Sequence, residues 1–203
     1  MPAHAKHRDK IVRAAAVLFR QNGYAASGTN DIVALSGAPK GSLYHYFPRG
    51  KEQIAEEVIA YAGELVRATL ARMCAEHASP AAAVRAYGTA LAGWMAESSY
   101  RDGCPISTIL LELAPESETI AEAGKSAFAT WENVLATQFA AHGIAPARAA
   151  GLASLVVCSW SGALIRARAA RSGEPILCAM EALACQIDAA VLEAASKAAG
   201  TPG

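Results

Sequence analysis

Apolar residues recur every three or four positions along most of this chain, which is the spacing of amphipathic α-helices. The first such stripe, in the segment 8–22, consists of Ile11, Ala14, Ala15, Leu18 and Phe19. Glycine and proline separate this segment from later ones of the same kind. The pattern predicts an all-α fold of about nine helices, at 8–22, 28–36, 39–47, 51–77, 80–97, 105–113, 116–142, 146–171 and 175–197.

The second and third predicted helices are short, and Gly37 separates them. Ser27 is a candidate N-cap for the second helix, and Pro39 suits the first turn of the third. In the third helix, Leu43 and Phe47 share one face, while polar and aromatic side chains point elsewhere. So short a helix is stable only when it packs on a neighbour, so the segment predicts a helix-turn-helix with the third helix as recognition helix. The predicted core of this three-helix head is Leu18, Phe19, Ile32, Leu35, Leu43 and Phe47.

These residues resemble the N-terminal DNA-binding domain of TetR-type repressors. The resemblance is carried, in order, by Gly23-Tyr24, Asp31-Ile32, Ser36-Gly37, Gly41-Ser42-Leu43-Tyr44, Tyr46-Phe47 and Lys51-Glu52. The Ala-Pro-Lys-Gly-Ser-Leu-Tyr run and the Phe-Pro-Arg-Gly-Lys segment are similar to the branch related to the LmrA and YxaF regulators. The resemblance implies DNA contacts by Thr29, Lys40, Ser42, Tyr44, His45, Tyr46 and Lys51, with Gly41 allowing close approach of the backbone.

Charge is unevenly distributed, although the whole chain is formally neutral. Residues 1–55 contain eight Lys or Arg and three acids, a net charge of +5, and the remainder carries −5. A basic N-terminal segment beside a helix-turn-helix is typical of a phosphate-binding domain. We therefore expect a DNA-binding domain at 1–50 and a helical ligand-binding and dimerisation domain at 51–203.

The C-terminal domain contains apolar and aromatic residues that are candidates for a ligand cavity, although each alone is more often a core residue. They are Tyr61, Trp94, Met95, Cys104, Leu110, Phe128, Trp131 and Trp160. Cys104 lies in a Gly-Cys-Pro motif that resembles one of the LmrA/YxaF branch. It is either a thiol that senses oxidants or a small residue beside the cavity. The family resemblance implies small hydrophobic or aromatic effectors.

The last two predicted helices are Ala-rich and joined by a short turn, which makes them antiparallel. In the resembling family such helices pair with their copies in a second subunit, although an internal hairpin would have a similar sequence. The candidate interface residues are Leu152, Val156, Ile176, Met180, Leu183, Ile187 and Val191.

The sequence gives little support for a secreted protein, a membrane protein or an enzyme. The five cysteines are odd in number and lack metal-ligand spacing, which is typical of reduced cytoplasmic thiols. We expect no signal peptide, no segment of membrane-spanning length and no cofactor. Ser159-Trp160-Ser161-Gly162 lacks the hydrolase elbow pattern, so we expect no catalysis.

The sequence thus predicts a one-component repressor. It would bind a palindromic operator in double-stranded DNA as a homodimer and be released by a small hydrophobic effector. Two alternatives stay open: a ligand-independent DNA-binding regulator with a packed dimerisation domain, and a thiol-based redox-responsive repressor acting through Cys104.

Overall fold

The structure of the protein is a computed structural model, which describes residues 3–39 and 41–199. The described residues form nine α-helices. Their bounds are Ala3–Asn22 (α1), Thr29–Ser36 (α2), Ser42–Tyr46 (α3), Lys51–Glu76 (α4), Pro80–Glu97 (α5), Pro105–Leu113 (α6), Glu118–Ala141 (α7), Pro146–Ala170 (α8) and Glu174–Ala199 (α9). The predicted all-α fold is confirmed. The largest differences in helix ends are an earlier start of α1 and a shorter α3.

Prolines mark where three of these helices begin, and in one of them a capping side chain also contributes. The Ser79 hydroxyl accepts a hydrogen bond from the Ala82 N–H at 3.1 Å, and Pro80 then opens α5. Prolines also open α6 and α8, where a missing N–H leaves no bond unmade.

The start of α2 differs from the prediction. Gly28, not Ser27, is the N-cap residue, and its N–H donates to the Asp31 carboxylate at 3.3 Å. Ser27 is buried, and its hydroxyl donates backwards to the Gly23 carbonyl at 2.7 Å. Ser27 therefore stabilises the loop between α1 and α2 rather than the helix end.

The chain divides into two compact units. Unit 1 comprises the residues up to Leu65 together with Asp102–Ala127, and unit 2 comprises Val66–Arg101 and the residues from Phe128 onward. The boundaries fall within α4 and α7. A segment distant in sequence thus contributes to the same unit as the predicted helix-turn-helix.

The core of unit 1 is formed by α1 with α2, α3, α4 and α6. Its fully buried side chains include Ile11, Phe19, Ile32, Leu43, Phe47, Ile54, Ile106 and Ile109. Leu35 was predicted to belong to this core, but its side chain is 54% exposed. The prediction for Leu35 was wrong because α2 has only eight residues, and only one of them, Ile32, is buried.

Unit 2 is built around α9, which packs against α5 and α8. Its largest buried side chains include Trp131, Phe139, Leu70, Trp160 and Met180. The close approach of α5 and α9 depends on Gly88, because a Cβ atom there would lie 2.6 and 2.7 Å from Cγ and Cβ of Met180.

Replacing Gly88 with alanine should destabilise unit 2, although alanine is the better helix former. The gain of about 1 kcal/mol in helix propensity is outweighed by overpacking of about 1–3 kcal/mol, because the atoms in the way belong to the stem of Met180. Gly93→Ala in the same helix is the matched control. A Cβ there meets open space, so it should stabilise by about 0.5–1 kcal/mol. Urea denaturation of both variants tests this; stabilisation by Gly88→Ala would contradict it.

The helices α8 and α9 are each long and apolar enough, by length and composition, to cross a membrane. The expectation that no segment reaches this length was therefore wrong. Each helix has a buried face in unit 2, however, and core helices of soluble proteins satisfy the same two criteria.

Candidate nucleic-acid interface

The turn between α2 and α3 is fixed by local backbone geometry. Gly37 ends α2 with φ +63°, a left-handed conformation that glycine adopts without strain. The Ser36 hydroxyl donates to the Val33 carbonyl at 2.9 Å and accepts from the Ala38 N–H at 3.1 Å. These bonds define where the chain leaves α2 and therefore where α3 begins.

The short helix α3 is anchored on one side and open on the other. Leu43 and Phe47 are buried in unit 1, as the spacing predicted. Tyr44 is 65% exposed, and His45 is exposed as well. Tyr46 is half-buried, with its ring edge-on to His45 at 5.1 Å between centroids. The face of α3 away from the core therefore presents aromatic and polar groups.

The other predicted contact residues differ in their exposure and their hydrogen bonds. Gly41 is exposed, and Thr29, the first residue of α2, is half-buried. The Ser42 hydroxyl donates to the Pro39 carbonyl at 2.7 Å, which leaves its lone pairs as acceptors. Lys40 lies outside the described residues.

Lys51, another predicted contact residue, binds the loop between α1 and α2. Its ammonium group donates to the carbonyls of Tyr24 and Ser27, at 3.0 and 3.3 Å, and lies 4.1 Å from the centroid of the Tyr24 ring. Partial burial lowers the pKa of Lys51, and the nearby Glu112 carboxylate opposes this shift. In this structure Lys51 holds the α1–α2 loop, and its contact with DNA stays a prediction.

The charge of unit 1 differs from that of residues 1–55. The folded unit contains nine Lys or Arg and eleven Asp or Glu, because its remaining residues add eight acids and one lysine. Three arginines of the basic segment pair with added acids, namely Arg8 with Glu57, Arg20 with Asp102 at 2.9 Å, and Arg49 with Glu56 at 2.6 Å. Affinity for phosphate must therefore come from the placement of cations, not from net charge.

Comparison with known proteins agrees with this geometry. Residues 11–58 match the family model of bacterial regulatory proteins of the tetR family, and residues 80–182 match the LmrA/YxaF-like transcriptional regulator C-terminal domain. The chain is 32% identical to the HTH-type transcriptional regulator YxaF of Bacillus subtilis over 177 residues, which are 87% of this chain and 93% of that protein. This chain belongs to the TetR family.

Two further comparisons agree. The HTH-type transcriptional regulator MT0206 of Mycobacterium tuberculosis is 35% identical over 83% of this chain and 88% of its own length. A TetR transcriptional regulator from Chloroflexus aurantiacus is 28% identical, with a TM-score of 0.76 over 93% of this chain and 97% of its own. As a TetR-family member the protein is a DNA-binding transcriptional regulator with a helix-turn-helix, not an enzyme.

The predicted cavity residues of this TetR-family regulator fall in both units. Tyr61, Cys104 and Leu110 belong to unit 1, whereas Trp94, Met95, Phe128, Trp131 and Trp160 belong to unit 2. In unit 1, the guanidinium of Arg13 lies 5.7 Å from the centroid of the Tyr61 ring. Cys104 is half-buried and is the N-cap residue of α6, where its thiol makes no capping hydrogen bond. It is the only cysteine in the sequence of unit 1, so no second thiol within that unit can form a disulfide with it.

The aromatic residues of unit 2 form a continuous series of ring contacts. Trp131 lies 5.2 Å from Phe128 and 5.8 Å from Trp160, and Tyr87 joins Trp160 at 4.8 Å and Trp94 at 6.4 Å between centroids. A cavity beside them is lined by Leu70, Met73, Cys74, Ala83, Val84, Tyr87, Leu135, Val156 and Trp160. Only about 10 Å³ of it is open to the centre of a water molecule, which is room for a single water.

The predicted interface residues lie largely inside unit 2. Val156, Ile176, Met180, Leu183 and Ile187 are buried within the single chain, and Leu152 and Val191 are half-buried. Side chains buried in their own subunit cannot also contact a second one. Assigning these five buried residues to a subunit interface is therefore incorrect, although their apolar stripe was correctly recognised.

Two contributions to the DNA-binding unit were missed in the sequence. Asp102 pairs with Arg20 and accepts from Gln21 at 2.8 Å, and the Glu112 carboxylate contacts the α1–α2 loop. Both acids lie at least 80 residues from their partners. Local spacing contains no signal for such contacts.

Proposed function

We propose that this chain is a homodimeric, one-component repressor, which binds a palindromic operator and is released by a small hydrophobic or aromatic effector. The observation that carries the proposal is the presentation of α3. Leu43 and Phe47 fix the helix to unit 1, while Tyr44 and His45 face outwards. Side chains of this type donate hydrogen bonds to phosphates and base edges in the major groove.

Dimerisation is supported by an uncharged, exposed stripe on each of the last two helices. On α8 the stripe consists of Gly151, Leu155, Cys158, Gly162, Ile165 and Ala169. On α9 it consists of Cys178, Ala182, Cys185, Ala189 and Leu192. These positions recur at helical spacing opposite the buried stripes, and small residues allow close helix packing. Adjacent apolar stripes of this kind are typical of subunit interfaces.

Replacing Ile165 with glutamate should convert the dimer to a monomer. Ile165 is 66% exposed in the single chain, and a subunit interface would have to desolvate the new carboxylate at both copies. Leu111→Glu is the matched control, because Leu111 is 76% exposed but lies on α6. Light scattering coupled to size exclusion measures the mass of both variants. A dimeric Ile165→Glu protein would show that these stripes are not the interface.

Operator binding by two subunits sets a geometric condition. Two recognition helices related by a two-fold axis enter successive major grooves when their centres are about 34 Å apart. The test is to select duplexes from a random-sequence pool with the purified protein and to sequence them. We expect a palindromic sequence with half-sites about one helical turn apart. Enrichment of no sequence, or of a single half-site, would contradict the proposal.

Effector binding is the third part of the proposal. The aromatic series of unit 2 offers stacking surfaces, but the cavity beside it admits one water. An effector would therefore have to widen this cavity, whereas a ligand-independent regulator would not. Thermal shift against a library of aromatic compounds separates the two functions, since a ligand at 100 times its Kd stabilises the folded state by about 2.7 kcal/mol. A ligand that stabilises the protein should also release the selected duplex.

A further inference from the structure

The Glu112 side chain binds the backbone of the α1–α2 loop. One carboxylate oxygen accepts from the Tyr24 N–H at 2.7 Å, and the other accepts from the Ala25 N–H at 2.6 Å. Both distances are at the short end of the range for bonds to an ionised acceptor. The residues are 87 and 88 positions apart, so the contact joins α6 to the segment that leads into α2.

Lys51 binds the carbonyl groups of the same loop. The Lys51 ammonium donates to the carbonyls of Tyr24 and Ser27, so opposite charges on α6 and α4 bind opposite backbone dipoles of one short loop. Gly23 precedes these residues at φ +90°, and a Cβ atom there would lie 2.8 Å from Oε1 of Glu112. A side chain at position 23 would thus collide with the carboxylate, which indicates how closely α6 approaches.

The helix that carries Glu112 is itself fixed to α1. The Thr108 hydroxyl lies 3.1 Å from the Phe19 carbonyl, near the end of α1. Ahead of α6, Asp102 pairs with Arg20. Beyond α6, the Ser117 hydroxyl donates to Glu52 at 2.7 Å. Contacts within α6 and on both sides of it therefore hold the helix that carries the Glu112 carboxylate.

We propose that Glu112 is a positioning residue of the DNA-binding unit: by fixing the α1–α2 loop, it sets the placement of α2 and α3 and so determines operator affinity without touching DNA. The inference rests on the proposed operator binding. It concerns a residue far outside the helix-turn-helix sequence, on a helix that packs against α1.

The direction of the change in DNA affinity when Glu112 is removed distinguishes positioning from simple electrostatics. Removing an acid from a DNA-binding unit should tighten binding if only charge matters. If Glu112 positions the loop, Glu112→Ala should instead weaken binding to the selected duplex by about tenfold, since two charge-assisted bonds are lost. Glu116→Ala is the matched control, because Glu116 is an exposed acid four residues away on the same segment. It should leave affinity unchanged or slightly raised.

Two further measurements of DNA binding test whether Glu112 acts by positioning the loop or by direct contact with DNA. The slope of log K against log salt should be the same for Glu112→Ala and wild type, because no phosphate contact is lost. Glu112→Gln keeps the side-chain shape and one good acceptor, so its affinity should lie between those of wild type and Glu112→Ala.

Amide hydrogen exchange tests the loop without DNA. The N–H groups of Tyr24 and Ala25 should exchange slowly in the wild type and in Glu116→Ala, and much faster in Glu112→Ala. Failure of the wild type to select any duplex would overturn the proposed function, while this exchange result would still decide whether the loop is held. Unchanged exchange, or wild-type or tighter affinity in Glu112→Ala, would overturn the inference alone.

Discussion

Tyr44→Ala is expected to weaken sequence-specific operator binding strongly, while the fold and the proposed dimer persist. The Tyr44 side chain is 65% exposed on α3, so its removal opens no cavity in unit 1. A direct contact of this kind contributes about 1–3 kcal/mol, and a dimer loses it twice. The combined loss of about 2–6 kcal/mol corresponds to at least about a thirtyfold rise in Kd. Fluorescence anisotropy with the selected duplex measures this change.

Tyr44→Phe is the control for that experiment. It keeps the ring and removes only the hydroxyl, so its Kd reports whether Tyr44 acts mainly through a hydrogen bond or through ring contact. Circular dichroism and light scattering should give wild-type values for both variants. Wild-type affinity in Tyr44→Ala would mean that the exposed face of α3 is not the reading surface, and the proposed orientation of the unit would have to be given up.

The helices could be predicted because their signals are local. A continuous apolar stripe placed α1, and Ile11, Ala15 and Phe19 are indeed fully buried. Prolines placed the starts of α5, α6 and α8 because the cyclic side chain fits only the first turn. The turn ahead of α3 followed from Gly37, which adopts the left-handed conformation that its position requires.

It was harder to predict which apolar face of a helix is buried in the core. On α9, for example, one apolar stripe includes Met180 and Ile187, and another includes small residues such as Ala182 and Ala189. Sequence spacing identifies the stripes but does not say which one faces the chain's own core. The structure buries the bulkier stripe and leaves the smaller one exposed. Leu35 illustrates the same ambiguity in a single exposed apolar residue.

The charge of the DNA-binding unit could not be predicted because it depends on which segments fold together. The basic count of residues 1–55 assumed a boundary near the end of the helix-turn-helix. The structure instead adds Asp102–Ala127 to the same unit, with five acids and one lysine. Contacts such as those of Glu112 follow from that addition, and no motif near position 112 indicates them.

Trp131→Ala is expected to be the most destabilising single substitution discussed. Trp131 is buried, and its ring contacts those of Phe128 and Trp160 at 5.2 and 5.8 Å. Truncating such a side chain costs about 3–5 kcal/mol, because the transfer free energy is lost and a cavity stays behind. Because the stability of the proposed dimer would depend on concentration, wild type and variant must be compared at one protein concentration. Urea denaturation followed by far-UV circular dichroism gives the free energies of unfolding.

Trp94→Ala is the matched control, because Trp94 belongs to the same aromatic series but is 44% exposed. Its loss should cost about 1 kcal/mol, the usual value for a partly exposed site. The comparison also bears on effector binding. If Trp131→Ala lowers the free energy of unfolding no more than Trp94→Ala does, the interior of unit 2 is loosely packed in solution and already has space for a ligand. A large cost would instead mean that an effector must displace packed aromatic rings to enter, and its binding energy must then exceed the free energy needed to open this core.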